Sequence, residues 1–98
     1  MSYKQIKDED ERLEILRALA EDSDYSLNNR IIGAVLASVG HNISNDKLIT
    51  QLAWLNEQGL IETEEVGKLI VSKLTQRGGD VAAGRARVPG VRRLEPGE

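Results

Sequence analysis

The chain contains no cysteine and no phenylalanine, and its aromatic residues are confined to Tyr3, Tyr25 and Trp54. Without cysteine there is neither a disulfide framework nor a thiolate metal site. Without phenylalanine the core must come from Leu, Ile, Val and Ala, a set that suits packed helices with a little sheet. No apolar run approaches the roughly 20 residues needed to cross a bilayer. The opening stretch MSYKQIKDEDER lacks the apolar segment of a secretory signal. A cytoplasmic protein is expected, with no membrane association. Catalytic signatures are also missing. There is no nucleophile with a candidate base, no phosphate-cradling loop and no zinc motif, so neither an enzyme nor a bound cofactor is expected.

What is present fits one small domain of 98 residues. The formal net charge is −3, and the charges are unevenly spread. Residues 1–26 carry four basic and eight acidic side chains. Residues 75–98 carry Arg77, Arg85, Arg87, Arg92 and Arg93 against Asp80, Glu95 and Glu98. The chain is acidic at its head and basic near its tail.

Hydrophobic spacing predicts a first helix from about Asp8 to Glu21, through Leu13, Leu16 and Leu19. The carboxylates Asp8–Glu11 would sit in its first turn, beside the positive end of the helix dipole. Ser26 or Asn28 can cap a second helix with Ile31, Ile32, Val35, Leu36 and Val39 as its apolar stripe, ended by Gly40. After the turn HNIS, Ser44 caps a third helix in which Leu48, Ile49, Leu52, Ala53 and Leu55 share an arc, with Gly59 beyond its end. Two short alternating runs, 60–64 and 69–74, flank a link at Glu65, Val66 and Gly67 and predict a β-hairpin. Thr75 can cap a last short helix to about Ala83, despite Gly78 and Gly79. The segment GRARVPGVRRLEPGE then reads as an extended or mobile basic tail. The expected organisation is a domain over 1–84 and a tail over 85–98.

Two helices joined by a tight turn and followed by a hairpin form a winged helix-turn-helix, mainly α with a small β-hairpin. LITQLAWLNEQGLIE resembles the recognition helix and first wing strand of MarR- and ArsR-type regulators. LTQRGGDVA is similar to the segment that leaves their wing. YSLNN, GHNIS, LAWLNEQGL and LTQRGGDVAAGRARVPGV, in that order, resemble small winged-helix proteins of Mu-like phages and prophages over about residues 8–93. The resemblance implies a DNA-binding fold of the kind found in transcriptional regulators; with double-stranded DNA as the expected partner, a homodimer is expected because two-fold dimers match palindromic sites. Three positions depart from the regulator pattern. Thr63 stands where the larger families usually place Arg, the short wing carries Glu64 and Glu65, and the third helix has a single cation, Lys47.

On the third helix, Asp46, Lys47, Thr50, Gln51, Trp54 and Glu57 lie off the expected apolar arc. In a major groove Lys47 would reach guanine acceptors or phosphate, Gln51 adenine and Thr50 a thymine methyl. Ser44 at the helix start, Lys68 on the wing and the tail arginines Arg85, Arg87, Arg92 and Arg93 complete the candidate DNA contacts. Trp54 is expected beneath the wing or tail, at a dimer or partner interface, or stacked on a base. His41, the sole histidine, reads as a loop or capping residue. The competing reading is a protein-interaction module on the same scaffold, resting on the acidic balance, the acidic wing and Trp54.

Overall fold

A computed structural model describes residues 2–98. The elements are α1 (Tyr3–Glu21), β1 (Ser26–Asn28), α2 (Asn29–Ser38), α3 (Asn45–Glu57), β2 (Ile61–Val66), β3 (Leu69–Leu74) and α4 (Gln76–Ala82). The three strands form an antiparallel sheet in the order β1-β3-β2. Helix, strand, helix–turn–helix and hairpin, with the first strand closing on the last, is the winged helix-turn-helix expected from the sequence.

α1 starts earlier than its apolar spacing suggests. Ser2 and Gln5 form a reciprocal capping box: the Gln5 backbone N–H donates to the Ser2 hydroxyl, and the Ser2 N–H donates to the Gln5 side chain. The carboxylates Asp8–Glu11 therefore lie in the second and third turns, not beside the positive helix end. Leu13, Ile15, Leu16 and Leu19 are all fully buried, so α1 is enclosed by its neighbours α2, α3 and α4. Each such aliphatic side chain contributes about 1.5–3 kcal/mol relative to exposure. Ile32 and Leu36 of α2, Leu48, Leu52 and Leu55 of α3, and Leu60 and Ile61 complete the centre of the core.

The hairpin register pairs Ile61 with Leu74 and Val66 with Leu69, which runs the first wing strand two residues further than its spacing implies. β1 pairs Ser26 with Lys73 and Asn28 with Val71. In α2 the buried face is narrower than the expected stripe. Ile32 and Leu36 are fully buried, whereas Ile31 and Val39 remain about half exposed. A helix advances 100° per residue, and five apolar positions cover more arc than one contact face can.

α4 survives two glycines because packing requires one of them. A Cβ at Gly78 would run into the Leu60 carbonyl and the Leu74 side chain. Thr75 caps this helix by accepting from Gly78 N–H. The segment 85–98 does not extend away from the domain. Val88 and Val91 are buried in the core cluster, with Leu94 packed against it, and Arg92 N–H donates to the Glu9 carbonyl of α1. No helix among the described residues is long and apolar enough to cross a membrane.

Candidate nucleic-acid interface

The start of α3 is set by Ser44, whose hydroxyl accepts from Lys47 N–H at 3.1 Å. Asn29, the first residue of α2, donates from its side-chain amide to Asn45 Oδ1, the first residue of α3, at 2.9 Å. The Asn29 carbonyl oxygen also accepts from Ile70 N–H in β3. One buried asparagine thus ties two helix N-terminal ends to the sheet. At each end one first-turn N–H is taken by the cap, Ile31 by Asn28 and Lys47 by Ser44, and the end carries the positive pole of a helix dipole. Arg30, Asn45, Asp46 and Thr50 are exposed at or near this junction. Thr50 Oγ1 donates to the Asp46 carbonyl, which sets its methyl and hydroxyl on the outer side of α3.

Two of the expected contacts on α3 are engaged by α1 instead. Gln51 is only 2% exposed. It accepts from Arg12 Nε at 2.8 Å, and its amide donates to Glu11 Oε1 at 2.9 Å and to the Asp8 carbonyl. Its place inside follows from spacing: positions 48, 51, 52 and 55 form the i, i+3, i+4, i+7 stripe, so Gln51 joins the leucines while Ala53 is exposed. Lys47 Nζ lies 2.5 Å from Asp8 Oδ1, and Lys4 Nζ lies 2.9 Å from Asp8 Oδ2. Burial alone would raise the Asp8 pKa, but hydrogen bonds and charge from Lys47 and Lys4 bring it below the ordinary carboxylate value.

Trp54 is covered from within the chain. The Arg12 guanidinium stacks 4.0 Å from the Trp54 ring centroid and donates to the Gly90 carbonyl at 2.9 Å. Gly90 has φ +98, and a Cβ there would approach Trp54 to 2.6 Å. Gly90, in the Val-Pro-Gly-Val stretch, closes over this ring, held there by the buried Val88 and Val91.

The tail arginines divide. Arg92 bonds Asp10 and is bidentate to Glu98, with Glu14 nearby. These contacts raise its pKa and hold the Glu98 carboxyl down to about 2. Arg85 pairs with Asp80. Arg87 and Arg93 are exposed and make no ion pair among the described residues. His41 is a loop residue, as expected, and it is anchored. It is buried in the turn between α2 and α3, with Nε2 2.6 Å from Asp10 Oδ2. Burial would raise the Asp10 pKa, yet His41 and Arg92 together lower it.

Lys68 is exposed at the wing tip, and Lys73 faces Glu62 across the hairpin. The rest of this surface is acidic: Glu57 near the end of α3 and Glu62, Glu64 and Glu65 on β2 are all exposed. The N-terminal end of α3 thus carries Lys47, paired with Asp8, and the exposed Asp46, with Arg30 nearby on α2, while its C-terminal end and β2 carry carboxylates. Sequence reasoning missed Arg30, although its position two residues after the N-cap Asn28 marks the start of a helix.

No protein-family model matches the chain. The uncharacterized protein gp26 of Escherichia phage Mu is 46% identical over 91 residues, which cover 93% of this chain and 94% of that protein. An uncharacterized protein of Haemophilus influenzae is 42% identical over 78 residues, covering 79% of this chain and 76% of that protein. Among solved structures, hsRosR in its RosR-S4 complex aligns with a TM-score of 0.62 and 24% identity over 74% of this chain. The RosR-S1 complex aligns with a TM-score of 0.63 and 23% identity. These matches span 62% and 63% of the hsRosR chains, and at that identity the likeness is one of fold.

Proposed function

The chain belongs to the family of the phage Mu protein gp26, and from that premise we propose that it is a non-enzymatic DNA-binding protein, a regulator of phage or prophage transcription, that meets duplex DNA where α2 and α3 begin. The observation that carries this reading is the Asn29–Asn45 hydrogen bond. It fixes two helix N-terminal ends side by side, with Arg30, Asn45 and Thr50 exposed around them. Helix N-termini attract phosphate through their free N–H groups and dipole. Arg30 supplies a phosphate contact, Asn45 offers its side-chain amide N–H to a base-edge acceptor such as adenine N7 while its oxygen stays on Asn29, and Thr50 meets a thymine methyl. The fold shared with hsRosR in its complexes supports the same reading. The acidic wing is held off the phosphates, which replaces the usual wing contact with approach at the helix starts. Two copies related by a two-fold axis would address a palindromic site.

The test is fluorescence anisotropy with labelled duplexes drawn from the promoters of the encoding phage or prophage, at roughly 50 mM salt. Arg30→Gln should weaken binding on all duplexes and reduce the log–log salt slope by about 0.9. Thr50→Ala should cost about 1 kcal/mol on the preferred duplex and less on others. Absence of binding at micromolar protein removes the proposal.

A second reading is favoured by the acidic surface of Glu57, Glu62, Glu64 and Glu65. That face fits a basic segment of a partner protein. Retention of such a partner, together with no response to any duplex, would select it.

A further inference from the structure

We propose that the groove between the first turns of α1 and the start of α3 is a second oxyanion site, which takes a backbone phosphate of DNA flanking the segment read by α3. The inference rests on the DNA-binding reading above. The groove encloses about 260 Å³ and brings Lys4, Lys7 and Lys47 together beside Tyr3, Asp8 and Ile43.

Its charges are layered. Asp8 lies at the bottom with its side chain 12% exposed, while the Lys4 side chain above it is 80% exposed and Lys47 32%. Glu11, also in the lining, is buried and has its carboxylate directed to the Gln51 amide. The acids form the floor and the ammonium groups form the rim. An incoming anion meets the rim first.

Asp8 gathers the cations without exhausting them. Each ammonium carries three N–H donors. Asp8 accepts one from Lys4 and one from Lys47, which leaves donors on both for an oxyanion. Lys7 sits 5.5 Å over the Tyr3 ring and makes no ion pair among the described residues. Three lysines against two carboxylates leave the groove with a formal charge of +1, opposite to that of one phosphodiester.

The site also continues the α3 surface. Lys47 is the third residue of α3, and its own backbone N–H is the one capped by Ser44. A duplex seated at the helix start passes this rim as it leaves. Lys47 therefore serves as a phosphate contact from the side of the helix and not as a base-reading residue.

The experiment compares the full chain with its Lys4→Gln/Lys7→Gln variant. Lys47 is left intact because it also ties α3 to α1. Equal melting temperatures establish that the variant is folded. Affinity for one duplex is then measured across salt concentration. The expected result is a low-salt loss of roughly tenfold or more and a salt slope smaller in magnitude by about 1.8. If the parent chain binds DNA and the variant keeps the same slope, the groove site is overturned while the DNA-binding reading stands. If the parent chain binds no duplex, that reading fails. Titration with inorganic pyrophosphate, followed by NMR at Tyr3, Lys7 and Lys47, then decides the groove alone. Shifts that weaken at least tenfold in the variant retain an oxyanion site, and no shifts overturn it.

Discussion

A side-chain amide with both ends engaged behaves as a rigid connector, and Gln51 serves the interior in that way. Its oxygen takes the Arg12 Nε–H and its nitrogen serves Glu11 and the Asp8 carbonyl. A polar residue in this position is tolerated because every group is satisfied; an unpaired buried amide would cost about 1–3 kcal/mol. The signal was present in the spacing of 48, 51, 52 and 55, but residue polarity argues the other way when read alone. Trp54 was more legible: an unusual aromatic off the leucine stripe needs a cover, and the tail supplies it. Gly90 is the residue on which that cover depends. Gly90→Ala should lower stability by about 1–3 kcal/mol, from both the positive φ and the overlap with Trp54. Urea unfolding monitored by tryptophan emission checks this. An unchanged midpoint with unchanged emission would show that this cover does not constrain the ring.

At the level of elements, local chemistry made α3, the hairpin and α4 readable. Ser44 and Thr75 are caps in the structure as in the sequence reading, and the alternation over 69–74 marks a strand. β1 was invisible because three residues, Ser26–Asn28, carry no period, and only pairing with β3 makes them a strand. The tail departs from its composition for a related reason. Proline and glycine composition argues for extension, whereas Val88, Val91 and Arg92 find long-range partners that no local rule detects. Those partners make the tail sensitive to acid. Asp10 and Glu98 both titrate below their ordinary values in the folded chain, Glu98 near 2 instead of 4.5. A depressed folded pKa gives stability that is fully present above the unfolded value and lost as pH falls through the folded one. Denaturant midpoints should therefore hold from neutral pH to about 5 and drop progressively between about 4.5 and 2. A flat profile through that window would contradict the role assigned to Arg92.

Over the whole molecule, the acidic head and basic tail recognised in the sequence turn out to serve each other. Asp10 and Glu14 of α1 hold Arg92, and Asp8 holds Lys47. Much of the charge that composition offers to a nucleic acid is thus spent inside the fold. What remains outward is uneven: Arg30 and Asp46 at the helix starts, Glu62, Glu64 and Glu65 with Lys68 and Lys73 on the wing, and Arg87 and Arg93 on the tail. An arrangement of this kind depends on which helix ends meet, and spacing along one chain cannot show it. The winged-helix architecture was accessible from residue order alone; the face proposed to meet DNA was not.

The central claim is that DNA seats at the joined starts of α2 and α3 and not along the wing. Nitrogen–proton correlation NMR of the labelled chain, titrated with duplex DNA at low salt, tests it most directly. The account predicts shifts at Asn29, Arg30, Asn45, Asp46 and Thr50, with little change from Glu62 to Glu65. Shifts confined to the wing, or none at any residue, would contradict it.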